Sequence, residues 1–162
     1  VSVDGQRAAA SLRVRLGAAL LDVTALALTL VLASRALLSL GVVQSPARPF
    51  AVLFANGPGL ATFLGALTVL AALFWAALRG TPGQLLMGCR VVPAGTGRRL
   101  SLARALLRAL AAAGSVLPLG LGVLWVAWDP RKQAWHDKMV DSLVVVEDES
   151  RLSMEELREA LG

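Results

Sequence analysis

Few residues in this chain have the chemistry for ion handling or catalysis, and Asp22 is the most informative of them. It stands in an apolar run from Leu16 to Val43 whose core, Val23 to Ser34, carries no charge. A carboxylate at the middle of a membrane-crossing helix costs roughly 2.5 to 3.5 kcal/mol, so it needs a partner, a water-filled cavity or a proton. Arg15 lies two helical turns earlier on nearly the same face, about 10 Å away along the axis. A direct bond requires both side chains to bend; a water bridge or a shared third partner would serve as well. Asp22 therefore reads either as a structural tie between helices or as an ion or proton site.

A second cluster runs from Asp129 through Arg131, Lys132, Gln133, Trp135, His136 and Asp137 to Lys138. His136 beside Asp137 has the chemistry to relay protons or hold a metal. A lone His without metal-ligand spacing is more often an interfacial hydrogen-bonding residue, so no metal set is predicted. Upstream, Gly80-Thr81-Pro82-Gly83 is a helix start, with Thr81 as N-cap and Pro82 at the first helical position, and Gly88 is its stop. Arg90 next to Cys89 could lower the thiol pKa, and nothing else marks that cysteine as reactive. The chain contains no phosphate loop, nucleophile elbow or dinucleotide fingerprint. An enzyme, a catalytic residue and a cofactor are accordingly not expected.

The elements that position these residues follow from composition. Of 162 residues, 56% are hydrophobic and 17% charged. A soluble domain of this size has too much surface to hide so many Leu, Ala and Val. One Cys rules out a disulfide scaffold. The chain reads as an all-α membrane protein with a helix over about 15–43 and another over 58–78. The second helix carries small residues, Ala61, Gly65, Ala72 and Ala76, on a face that another helix can approach. A third apolar run, Ala109 to Trp128, is broken by Gly114, Ser115, Pro118, Gly120 and Gly122, which predicts a kink or stop near Leu117. It either spans with a kink or dips in and returns as a re-entrant hairpin. Before it, Leu102, Leu106 and Leu110 share one face and Arg104 and Arg108 another, which suits an interfacial helix and favours the dip. The whole stretch 101–128 forms the third membrane-associated unit.

Six Arg and no acid lie between Arg79 and Arg108, and Arg7, Arg13 and Arg15 lie near the start, against Arg48 alone in the first loop. The positive-inside rule makes both basic segments cytoplasmic. The net charge of +5 then reflects topology and lipid attraction, and no nucleic-acid partner is predicted. The first apolar run is too long, and lacks the cleavage pattern, for a removable signal peptide. Trp125, Trp128 and Trp135 fit an interfacial aromatic belt. A short β-ribbon, about 89–100 with 142–147, should form because neither strand is stable alone. If both strands are cytoplasmic, the third run must return to its own side. From Asp129 onward the chain holds nine acids and five bases. Its last part, 147–162, is an acidic tail in which Ser153 to Glu156 can cap a short helix that frays or docks on a partner. Residues 1–146 are the membrane domain.

Arg15-Leu-Gly-Ala-Ala-Leu-Leu-Asp22, Gly80-Thr-Pro-Gly83 leading to Gly88-Cys-Arg-Val-Val92, Leu100-Ser-Leu with Arg108, and Asp129, Gln133 and His136-Asp137-Lys138 before Leu143-Val-Val-Val together resemble the RDD family of small bacterial membrane proteins. The family takes its name from one Arg and two Asp. Arg15 and Asp22 match the first two, and the other Asp is matched by Asp129 or Asp137. The chain departs in Gln84, where a Lys usually follows the turn, and in Val140-Asp141-Ser142, where Ala-Gly-Thr is common. The resemblance implies the bacterial inner membrane and two candidate roles. One is an accessory subunit of a larger membrane assembly, with a membrane-protein partner or a second copy. The other is a cation or proton transporter resembling sodium-proton antiporters, with Asp22 as the site and Arg15 setting its charge. So few spans with one embedded acid make a poor ion path, which favours the first.

Overall fold

The structure is a computed structural model and describes residues 2–3, 7–45, 47, 51, 57–95, 99–116, 118 and 120–146. Two long helices dominate it. Helix α1 covers Leu12–Ser39 and α2 covers Gly57–Leu78, about 42 and 33 Å long at 1.5 Å per residue. Helix α1 begins earlier than the apolar run because Ser11, in extended conformation, starts it, so Arg15 falls in its opening turns. Helix α2 carries no charged residue, and α1 is apolar apart from Arg13, Arg15, Asp22, Arg35 and a few Ser and Thr. Leu16, Leu20, Val23, Leu28, Val31 and Leu32 of α1 are exposed, as are Leu64, Val69, Leu70 and Leu73 of α2. Only 6% and 11% of the most apolar windows in Leu12–Ser39 and Gly57–Leu86 are buried. The core helix of a soluble protein would bury such a window; these helices have the length and composition to cross a membrane.

The chain beyond α2 packs back against these helices. Helix α3 (Pro82–Leu86) follows immediately. Then comes a four-stranded antiparallel sheet, order β1-β2-β4-β3, from Ser2–Val3, Arg7–Ala9, Cys89–Pro93 (β3) and Ser142–Val146 (β4). Strands β3 and β4 pair from Cys89 with Val146 to Pro93 with Ser142, somewhat shorter than the ribbon expected from sequence. The two N-terminal strands are an addition to that expectation. Arg7-Ala8-Ala9 has no β-branched residue to signal a strand, and its pairing with Val145 and Val146 is supplied by the open edge of β4. One sheet face, with Cys89, Val91 and Val144, packs with Ala10, Leu100 and Val140 and with Ala72, Trp75, Ala105 and Ala109 from the helices.

The third apolar run is a folded-back structure. Helix α4 (Leu102–Val116) is continuous, so the separate interfacial helix expected before the run is instead its first half. The face assignment also needs correction: Ala105, Arg108, Ala109 and Ser115 are buried, while Leu102, Leu107 and Leu110 are exposed. Small residues let α4 lie close against Ala72 and Ala76 of α2, and leucines at that contact would hold the helices apart. The other small residues of α2, Ala61 and Gly65, are exposed. Gly120, at φ +78°, leads into α5 (Leu121–Leu124), which runs on as a 3-10 turn, Trp125–Ala127. A Cβ on Gly122 would stand 2.8 Å from the Ser115 Cβ, so the chain has doubled back onto α4. Helix α6 (Trp135–Met139) then returns it to β4. Leu117, where the break was expected, lies outside the described residues, as do Arg48, Arg98 and the acidic tail 147–162.

Candidate functional site

Asp22 is held by the turn between α2 and α3. The Thr81 hydroxyl donates to its Oδ2 at 2.5 Å and the Gly83 amide to its Oδ1 at 2.7 Å. The local sequence requires this arrangement. Pro82 starts α3 without needing a donor of its own. The Gln84 amide donates to Thr81 Oγ1, and the Gln84 carboxamide accepts from the Thr81 amide, which completes a capping box. A Cβ at Gly83 would lie 2.1 Å from the Ala18 carbonyl oxygen and 2.9 Å from Asp22 Cγ. Glycine is thus what lets the backbone of α3 touch α1. The acid that composition marks as misplaced in an apolar helix accepts hydrogen bonds from the N-cap hydroxyl and a backbone amide at the start of another helix.

Among the described residues Arg15 makes no hydrogen bond or ion pair with Asp22, so the direct bond considered from sequence is not formed. Its Nη1 donates to Asp137 Oδ2 at 2.5 Å, its Nη2 to the Lys132 carbonyl at 2.6 Å and its Nε to the Ala10 carbonyl at 3.3 Å. Asp137 is wholly buried, and its other oxygen receives Arg108 through Nη2 at 2.5 Å and Nε at 3.1 Å. The Ala134 amide adds a bond at 3.1 Å, so the carboxylate also caps its own helix. Burial works to raise the Asp137 pKa, but Arg108 and Arg15 outweigh it and hold the carboxyl well below the usual range. It is a fixed anion between two guanidinium groups on different helices.

Arg108 is the residue that sequence reasoning missed. The sequence alone puts it among the basic residues that follow Arg79, on the polar side of an interfacial helix. Two signals could have found it: its position within the Arg15-to-Val146 pattern, and its spacing with Ala105, Ala109 and Ser115 along one helical face. Its guanidinium lies 4.0 Å from the centre of the Trp75 ring, a cation–π contact that offsets desolvation. The Trp75 indole N–H donates to Gln84 Oε1 at 2.9 Å. A continuous polar path therefore joins Asp22, Thr81, Gln84, Trp75, Arg108, Asp137 and Arg15. The Lys usual at position 84 in the resemblance could not accept these two hydrogen bonds.

His136 and Asp129 flank this path and do not join it as ion partners. His136 Nδ1 lies 3.3 Å from Ser115 Oγ, and its Nε2 is 3.6 Å from Asp137 Oδ1. Burial, with the positive charge of Arg108, pushes its pKa down to about 4, so the ring is neutral near pH 7. Asp129 pairs with Lys138 and accepts from the Arg131 and Gln133 amides at 3.1 and 2.9 Å. Burial raises its pKa, but the Lys138 and Gln133 bonds prevail and lower it. Of the two acids that could match the family's second Asp, Asp137 is the one bonded to Arg15, and Asp129 pairs with Lys138 instead. Cys89 is buried, and burial pushes its thiol up against the opposing effect of Arg15; the lowering expected from Arg90 does not prevail.

The RDD family profile matches residues 9–141. The chain belongs to the RDD family. The match takes in α1, the α3 turn, the α4–α5 hairpin and α6, and so every residue of the polar path. No curated protein and no solved structure matches the chain. In this RDD protein the Arg and Asp residues bind elements of the fold to one another: Asp22 ties α1 to α3, and Asp137 ties α1 to α4.

Proposed function

We propose that this RDD-family membrane protein is a structural or accessory subunit of a larger assembly in the bacterial inner membrane. The carrying observation is that Asp137 receives both Arg15 and Arg108 while Asp22 is occupied by Thr81 and Gly83. These charges act as braces between elements. The placement supporting this role has α1 and α2 crossing the bilayer and the sheet on the cytoplasmic side with both termini. Helix α4, at 15 residues, reaches only about 22 Å and is short for a hydrocarbon layer of about 30 Å. The strands flanking the α4–α5 hairpin pair with each other, so a re-entrant course starts and ends on one side.

A rigid small membrane domain with two long, lipid-exposed helices is suited to holding helices of a neighbour in register. Purification in gentle detergent with intact-complex mass spectrometry tests this. A fixed stoichiometric partner or a homo-oligomer is expected, and a stable lone chain would count against it. The second reading is a cation or proton transporter. Asp22 is half-buried, which favours that reading more than the fully enclosed Asp137 does. Ion flux in proteoliposomes that disappears in Asp22→Asn, with folding intact, would replace the accessory role by this one.

A further inference from the structure

Beside the Asp129 loop the surface opens into a cavity of about 450 Å³ lined by Asp129, Pro130, Arg131, Gln133, Lys138 and Asp141. Two of its charges are paired with each other, Lys138 with Asp129. The other two are not: among the described residues, the side chains of Arg131 and Asp141 have no hydrogen-bond or ion-pair partner, and they do not bridge to one another. A cavity carrying a free guanidinium and a free carboxylate that fail to meet is complementary to a zwitterion with an anionic and a cationic end. Asp141 holds φ +46°, a left-handed conformation that glycine adopts without strain. This chain places a carboxylate there instead.

The cavity adjoins an aromatic surface. Trp125, Trp128 and Trp135 are exposed by 43%, 73% and 40%. The rings of Trp125 and Trp135 lie 6.2 Å apart, and the Lys138 ammonium that lines the cavity is 5.7 Å from the Trp125 ring centre. Exposed tryptophans belong at the depth of lipid headgroups. We propose that the cavity is a headgroup site for an aminophospholipid. Arg131 holds the phosphate diester and Asp141 the primary ammonium, while the acyl chains pass the tryptophans. This rests on the membrane reading alone and not on the accessory role.

The test is intact-protein mass spectrometry of the full chain in detergent, titrated with phosphatidylethanolamine, phosphatidylcholine and phosphatidylglycerol, and with soluble phosphoethanolamine as competitor. The choline headgroup keeps both charges but cannot donate to a carboxylate, and the glycerol headgroup has no cation. Wild type should retain phosphatidylethanolamine about tenfold better than the other two, the size of one charge-assisted hydrogen bond. Asp141→Gly should keep the fold and lose that preference; Arg131→Gln should weaken all three lipids alike. Equal retention of the three by wild type, or a preference that survives Asp141→Gly, overturns the site. Displacement by soluble phosphoethanolamine at the concentration of the lipid overturns the lipid as its source. A lone chain that still prefers phosphatidylethanolamine removes the accessory role and leaves the headgroup site standing.

Discussion

Arg15 and Arg108 occupy different oxygens of the Asp137 carboxylate, each at 2.5 Å, although they come from α1 and α4 and are far apart in sequence. Two cations on one buried anion leave a net positive charge inside the fold. Removing the anion therefore does more than break a bond. Asp137→Asn leaves two guanidinium groups facing a neutral amide, and Arg108 has no route to water. Breaking a buried pair from one side costs about 3 to 5 kcal/mol. Thermal unfolding of the detergent-solubilised variant should show loss of most of the native population. Asp129→Asn, next to the half-exposed Lys138, should lose much less. Equal effects would mean that Asp137 is no more central than Asp129.

Much of this site was legible in the sequence, and the rest was hidden for identifiable reasons. Hydropathy located α1 and α2, and the Gly/Pro cluster located the break after α4. The Thr81-Pro82 signal placed α3, because a cap is a local feature. The partners of Asp22 and Arg15 were not legible, since they lie at Gly83 and Asp137 and are set by tertiary packing. The burial of Arg108 is hidden because the leucine periodicity of α4 marks the opposite face from its core. In a lipid-facing helix the leucines point outward and the alanines point to the core, so the polar residue on the alanine face is the buried one.

The contact between α3 and α1 offers a sharp steric test. Gly83→Ala would set a methyl 2.1 Å from the Ala18 carbonyl oxygen, so α3 must lift and both bonds to Asp22 lengthen together. The variant should lose several kcal/mol of stability, in the range of an overpacked core of about 1 to 3 kcal/mol plus the exposed carboxylate. Gly57→Ala, where an added Cβ meets nothing within 4 Å, is the control and should be neutral. If both variants unfold at the same temperature as wild type, the approach of α3 to α1 is looser than the structure shows.

Acidification should weaken the fold through His136. Its pKa is about 4 in the folded chain against about 6.5 when unfolded. Between these values the unfolded chain binds a proton that the folded chain does not. Stability contributed by the neutral ring is thus complete above about pH 6.5 and falls as pH drops towards 4, by roughly 1.4 kcal/mol per unit at most. Asp137, whose pKa is also depressed, adds a further loss only at still lower pH. Unfolding midpoints measured from pH 7 to 4 should decline in wild type and flatten in His136→Gln. A decline of the same slope in that variant would assign the effect to another group.

Trp75 is where the Asp22 brace and the Asp137 brace meet, because its N–H serves Gln84 and its face serves Arg108. Two substitutions separate these contacts. Trp75→Phe keeps an aromatic face and deletes the donor, so it should cost about 1 kcal/mol, the net worth of one hydrogen bond. Trp75→Leu removes the face as well and should cost at least about 2 kcal/mol more, since the desolvated cation–π contact and ring volume are both lost. The connection itself is measured by a double-mutant cycle with Asp22→Asn. Asparagine can still accept from Gly83, and its amide can donate to Thr81 Oγ1, so that single variant folds. If the path through Thr81 and Gln84 transmits strain, Trp75→Phe and Asp22→Asn should depart from additivity by more than about 0.5 kcal/mol. Additivity would make the two braces independent, each fastening α1 to its own neighbour.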